Sequence, residues 1–281
     1  MFGSSRRPEI KTAAQLAQMR RAGLVVARAL SAVAAEVRPG VTTNVLDTVA
    51  AEVISSAGAL PSFLDYGSVN GRGGFPGVTC ISVNEEIVHG IPGPRVLAEG
   101  DLVSVDCGAI VDGWHGDSAV TVFVGNPAPE AQALSDATRL ALWHGIAAAR
   151  LGGNVTDISA AVERYVRALP VPYGIVEEYV GHGIGSAMHQ PPDVPNLGKP
   201  GRGPKLVEGL VLAVEPMLTL GSPDNTMLDD DWTVVTDDGR WACHWEHTMT
   251  VTRSGVWVLT AEDGGEQLLG ELGVPFGPLA D

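Results

Sequence analysis

The three cysteines of this chain, Cys80, Cys107 and Cys243, form no CxxC pair. An odd, scattered count argues against a disulfide framework and a thiolate zinc module, and fits a reducing cytoplasm. Nowhere do 18 apolar residues run together, so no membrane span is expected. The opening MFGSSRRPEIKTAAQ has no apolar segment after its arginines, so no signal peptide is expected either. Basic residues are outnumbered, 18 against 33 acidic ones, and the net charge of −15 speaks against a nucleic-acid partner. The sequence contains no GxSxG and no GxxxxGK[ST], which removes support from serine-nucleophile hydrolysis and P-loop phosphate chemistry. Residues 1–38 depart from the acidic trend, with seven basic and two acidic residues, and read as a solvated helix surface.

What is present is 281 residues with 45% hydrophobic and 18% charged content, enough to bury a core as one large domain or two halves. The most informative stretch is GDLVSVDCGAIVDGWHGDSAVTVFV, residues 100–124. β-Branched residues flank Asp112-Gly113, the common two-residue hairpin loop. In that register, paired residues sum to 225. Asp106 then faces Ala119, and Asp117 lies diagonally from Asp106 on the same face, roughly 7–8 Å away. Two carboxylates so placed can share one metal ion or bridge two. Either aspartate alone reads more plainly as a solvated strand residue.

Along the chain, residues 1–9 read as a flexible leader. Apolar spacing predicts helices over 10–37, capped by Thr12, and from Thr43 to the GALP break at 58–61. Residues 62–78 read as an irregular surface loop, glycine-rich over 67–74. A short strand with a turn at Asn84-Glu85 covers 80–88. Helices follow over 130–151 and from Asn154 or Thr156 to about 169. Strands are expected at 176–180, 210–218, 232–236, 241–252 and 256–260, with a proline- and glycine-rich loop at 185–204. Helix pairs followed by hairpin-rich stretches, twice over, point to an α+β protein of two similar halves. The expected division is a catalytic domain over 10–262 and a C-terminal tail over 263–281.

Several polar residues sit where a plain core strand would not put them. His182 and His189 lie in GHGIGSAMH (181–189), where glycines allow close approach of a ligand. Glu215 interrupts the apolar run LVLAVEPML (210–218), and an acid there is paired, a metal ligand or outside the strand. Glu246 lies in HWEHT (244–248) and His89 in VHGIP (88–92); singly, each reads as a solvated residue. Together they form a carboxylate-rich set with imidazole, which suits Mn, Fe, Co or Zn. A pair of such ions makes hydroxide available near neutral pH and polarises a carbonyl.

CISVNEEIVHGIPG (80–93), the hairpin over 100–125, GHGIGSAMH, AVEPML (213–218), WTVV (232–235) and WEHTMTVT (245–252) resemble the type I methionine aminopeptidases. IKTAAQLAQMRRAG (10–23) and RPGVTTNVLD (38–47) are similar to that family's N-terminal helices, so the likeness spans about residues 10–260. The resemblance implies a pita-bread fold, two pseudo-symmetric α+β halves around a dinuclear site. It implies two divalent ions (Co, Mn, Fe or Zn) held by Asp106, Asp117, His182, Glu215 and Glu246, with Asp117 and Glu246 bridging. It implies a metal-activated hydroxide that attacks the carbonyl of an initiator methionine, with Glu215 shuttling the proton, His189 stabilising the oxyanion and His89 touching substrate near the scissile amide. Tyr66, Phe75, Cys80, Met188 and Trp232 would line the methionine pocket, and a narrow far side would favour a small second residue. The implied partners are N-termini of nascent proteins and peptides, near the ribosome in the cytoplasm, with no membrane or nucleic acid and the chain a monomer. Three features depart from the family pattern. Residues 68–74 are inserted between Tyr66 and Phe75. Met188 stands where an aromatic is usual, and His244 where glutamine is common. An Xaa-Pro exopeptidase on the same fold and a non-catalytic binding module are the rival readings.

Overall fold

The computed structural model describes residues 7–69 and 73–279. Most of the leader and the middle of the glycine-rich insertion therefore lie outside the described residues. Two helices come first, α1 (Ala13–Glu36) and α2 (Thr43–Ser56). The cap on α1 is the expected one: Thr12 accepts from Gln15 N–H while the Gln15 side chain accepts from Thr12 N–H. The strands β1 (Leu60–Pro61), β2 (Thr79–Val83), β3 (Glu86–Val88), β4 (Leu102–Val111) and β5 (Trp114–Phe123) follow. The second half opens with helices α3 (Pro129–Ala148) and α4 (Val155–Arg167), the latter boxed by Asn154 and Asp157. Next come β6 (Gly174–Ile175), β7 (Gly181–Gly183), β8 (Gln190–Val194), β9 (Val211–Val214), β10 (Met217–Thr219), β11 (Asn225–Met227) and β12 (Val234–Thr236). The chain closes with β13 (Ala242–His244), β14 (Glu246–Val251), β15 (Val256–Val258) and α5 (Glu266–Glu271).

A nine-stranded antiparallel sheet runs β1-β4-β5-β14-β9-β7-β8, with β2 on β4 and β15 on β14. Its two halves meet at β5 and β14 through two residue pairs, Ala119 with Glu246 and Ser118 with His247. One core gathers α1 and α2 onto β2 and β4; others gather α3, α4 and α5 onto the second-half strands. α1 lies so close to β5 that a Cβ on Gly116 would sit 2.6 Å from Gly23 N and 2.9 Å from Ala22 C, both backbone atoms. This contact is why glycine is required at residue 116.

The hairpin register is the one expected, from Leu102 opposite Phe123 to Val111 opposite Trp114. Asp112 and Gly113 both take positive φ, 50° and 80°, as a type I′ turn demands. Elsewhere the structure corrects the sequence reading. Residues 210–218 are two strands, because Pro216 offers no N–H to a ladder and the chain turns at Glu215. Residues 241–252 divide at Trp245, whose indole donates to Ser135 on α3 (3.0 Å) as the chain passes from the small β13-β10-β6 sheet to the large one. Residues 80–88 are likewise two strands in different sheets, hinged at Asn84 (φ 60°). The strand expected at 176–180 is displaced to β6, and those residues leave the sheet with Glu177 and Glu178 exposed. The loop expected at 185–204 contains β8, paired to β7. In the C-terminal segment, α5 buries Leu269 and Phe276 bridges to Val256.

Candidate metal centre

Register alone brings the expected ligands to one face. Asp106 sits opposite Ala119, and Ala119 sits opposite Glu246. Direct partners on antiparallel strands share a face, so Asp106 and Glu246 flank Ala119, and Asp117, two residues away, points the same way. In the second half, His247 pairs with Val214, so one further step sets Glu246 against Glu215 just past β9. Gly183 pairs with Leu212, and the next step sets His182 beside Ala213, two residues before Glu215. All five therefore project from the same concave face.

Hydroxyls at the seam fix the backbone beneath them. Ser118 Oγ donates to the Glu246 carbonyl (2.6 Å). Thr248 Oγ1 donates to the Asp117 carbonyl (2.7 Å) and accepts from Asp117 N–H (3.2 Å). Asn196 Nδ2 donates to the Glu215 carbonyl (3.2 Å). His182 Nδ1 lies 3.0 Å from the carbonyl of Gly183, which can only accept, so Nδ1 carries the proton and the Nε2 lone pair faces the acids.

Asp117, His182 and Glu246 each present a ligand atom within 4.8 Å of the others. His182 Nε2 is 3.8 Å from Asp117 Oδ2 and 3.6 Å from Glu215 Oε1. Asp106 joins them through the β4–β5 register, facing Ala119, two residues from Asp117. The structure thus groups three of the five tightly and attaches Asp106 and Glu215 at either side. Burial pushes the Asp106 carboxyl up to about 7 and drives Asp117, Glu215 and Glu246 well above the carboxylate range, the last three raised further by the acids beside them. Burial holds His182 neutral, down to about 4, so it supplies no compensating charge. No lysine or arginine lines the cavity among the described residues. Asp106 Oδ1, Asp117 Oδ1 and Glu246 Oε1 are buried without a hydrogen-bond partner. Buried polar atoms left orphaned call for a partner, and an oxygen-rich set with one imidazole lone pair fits divalent cations.

The face opens into a cavity of about 610 Å³. Tyr66, Phe75, Cys80, Met188 and Trp232 all line it, together with His89 and His189. Phe75 and Trp232 meet edge to face with ring centroids 5.3 Å apart. The Tyr66 hydroxyl contacts His189 Nδ1, and the His189 ring lies 4.2 Å from that of His182. Burial keeps His189 neutral, far below its usual range, and takes His89 down to about 4. His89 holds a positive φ of 60° and meets Tyr179 edge-on at 5.6 Å. Sequence reasoning missed Phe63 and Tyr179 in the lining, and Ser118, Thr248 and Asn196 under the ligands. Tyr179 was hidden by the strand expected over it. The hydroxyls carry a usable signal, since Ser118 and Thr248 each adjoin or nearly adjoin an expected ligand in sequence.

The sequence matches metallopeptidase family M24 over residues 17–253. It is 51% identical over 255 residues to methionine aminopeptidase 1 of Mycobacterium tuberculosis, covering 89% of this chain and 94% of that protein. The fold superposes on a crystal structure of methionine aminopeptidase from Thermotoga maritima with a TM-score of 0.87 at 38% identity, covering 91% of this chain and all of that one. A prolidase from Pyrococcus furiosus shares the fold, with a TM-score of 0.71 at 20% identity over 90% of this chain and 65% of the other.

Proposed function

The chain belongs to metallopeptidase family M24, among its methionine aminopeptidases, and from that premise we propose how its residues perform the reaction and on which substrates. Asp106, Asp117, His182, Glu215 and Glu246 would hold two divalent ions, Co, Mn, Fe or Zn, with Asp117 and Glu246 the carboxylates central to the set. The ions, when bound, make water nucleophilic near neutral pH and polarise the scissile carbonyl. Glu215 takes the proton released from water and passes it to the departing amine. His189 donates to the carbonyl oxygen as negative charge develops there. With the Tyr66 hydroxyl donating to Nδ1, the proton of His189 sits on Nε2, the nitrogen able to make that bond. His89 contacts the substrate backbone near the scissile amide.

The methionine side chain enters the space between Phe75, Trp232, Cys80, Met188 and Tyr66. Aromatic edges and polarisable sulfur favour a thioether. A small second residue is favoured on the narrow far side. The substrate is the initiator methionine of a nascent chain, met near the ribosome in the cytoplasm, and the enzyme acts as a monomer. We assign the catalytic domain to residues 10–262.

The observation that carries this reading is the single sheet face bearing two buried acids, Asp117 and Glu246, two half-buried ones, Asp106 and Glu215, and an oriented imidazole, with three carboxylate oxygens unpartnered. The test is methionine release from Met-Gly-Met-Met and Met-Leu-Met-Met by protein stripped with chelator and reloaded with Mn or Co. Metal-dependent cleavage of the first peptide alone is expected. Turnover of Xaa-Pro peptides without methionine release would sink the assignment.

A further inference from the structure

His244 has no task in the reading above. It ends β13 with only 2% of its surface exposed. Its Nε2 is buried without a hydrogen-bond partner and lies 3.8 Å from Glu215 Oε2. The other oxygen of that carboxyl, Oε1, lies 3.6 Å from His182 Nε2. Glu215 is therefore held between two imidazoles, one to each oxygen.

The backbone of His244 is fixed from the opposite half of the molecule. Its N–H donates to Ser104 Oγ on β4 (3.2 Å), and its carbonyl accepts from Thr121 Oγ1 on β5 (2.7 Å). Those two hydroxyls bond to each other at 2.8 Å. Within its own sheet, His244 pairs with Met217, two residues beyond Glu215. The ring thus starts from a rigid anchor and ends at an acid that sits on a strand break, where no ladder restrains the side chain.

We propose that His244 is a positioning residue for Glu215: its Nε2–H donates to Oε2 and leaves Oε1 turned toward His182 and the metal centre. The inference rests on the reading that Glu215 is a ligand. A carboxylate that gives one oxygen to a metal keeps the other free to accept, and here it faces His244 Nε2, a buried nitrogen whose lack of a partner is expensive. The buried His244 donor and the half-buried Glu215 acceptor, 3.8 Å apart, need an approach of about 1 Å to satisfy each other. Groups that hold a ligand's second atom typically change metal affinity about 10–100-fold.

The experiment uses the full chain, stripped of metal, with Mn(II) binding followed by titration calorimetry and folding checked by circular dichroism. His244→Ala is expected to bind Mn(II) about 10–100-fold more weakly with unchanged stoichiometry. His244→Gln, which keeps a donor, should recover most of that loss. If the alanine variant does not fold, His244→Met replaces it, filling the space without a donor. In a Glu215→Gln background, removing His244 should bring no further loss, because the two act as one unit. Parental affinity in the alanine or methionine variant would overturn the proposal. Loss of a whole metal equivalent in both the alanine and glutamine variants would also overturn it, by making His244 a ligand itself. Failure of the underlying reading looks different: Glu215→Gln would then leave Mn(II) affinity and stoichiometry at the parental values.

Discussion

The two halves of the sheet deliver their acids in different ways. In the first half, Asp106 and Asp117 ride on one unbroken hairpin whose tight turn fixes their register. In the second, His182, Glu215 and Glu246 stand at a three-residue strand, just past a strand's end and at a strand's start. A continuous ladder places side chains by alternation alone. A broken one needs tertiary ties, supplied here by Asn196 on the Glu215 carbonyl, Ser118 on the Glu246 carbonyl and the rigid seat of His244. The first half thus fixes its acids through the ladder itself, and the second through contacts made across the fold.

The largest effects should come from the acids themselves. Asp117→Ala is expected to lose bound metal, read by elemental analysis; unchanged content would remove it from the ligand set. Glu215→Gln should lower turnover about 10²–10⁴-fold, and a normal rate would assign proton transfer elsewhere.

A smaller effect separates the halves by packing. In Gly116→Ala the new carbon meets backbone of α1, which cannot yield, so a loss of about 1–3 kcal/mol is expected in denaturant unfolding. In Gly145→Ala, on α3, the nearest atom is the Val162 Cγ2 methyl at 2.7 Å, with Ile158 Cγ2 at 3.4 Å. Val162 is fully buried and β-branched, with one preferred rotamer in its helix, so overpacking outweighs the ~1 kcal/mol by which alanine favours a helix over glycine, and a loss smaller than at Gly116 is expected. Equal losses at the two sites would mean that the halves tolerate crowding alike.

Cutting the seam at Ser118→Ala removes two hydrogen bonds, to the Glu246 carbonyl and to His247 Nδ1, and should cost about 1–3 kcal/mol, with a parallel weakening of metal binding as Glu246 loses its support. Stability lost without a change in metal affinity would show the tie to be purely structural. The smallest change is expected at Asp112→Asn. Asparagine keeps the turn, and the Arg21–Asp112 ion pair is solvent-exposed on both sides, so thermal unfolding should move by the equivalent of well under about 1 kcal/mol.

The same contrast explains what could be read from sequence. Asp112-Gly113 sets the hairpin register, and with it the shared face of Asp106 and Asp117, through local turn chemistry alone. Thr12 and Asn154 announced their helices through local chemistry. Residues 176–180, 210–218 and 241–252 misled because apolar runs do not say which sheet they join. The division at Trp245 depends on Ser135, 110 residues away, and no window along the chain contains both. The cavity wall was legible where motifs marked it. Phe63 and Tyr179 were not: an aromatic in a loop, like Phe63, looks the same whether or not it faces a cavity, and Tyr179 falls in a stretch that reads as a strand.

Ala119 gives the site something none of its ligands can: room. It stands between Asp106 and Glu246 in the cross-strand row and is fully buried, while Ala213 holds the matching place beside His182 across the sheet. The centre is therefore shaped as much by two methyl groups as by its four acids. A valine at either position would leave each ligand in the sequence yet take up volume on the face where they converge. Absence of bulk is itself a specification here, and a census of charged residues would pass over it.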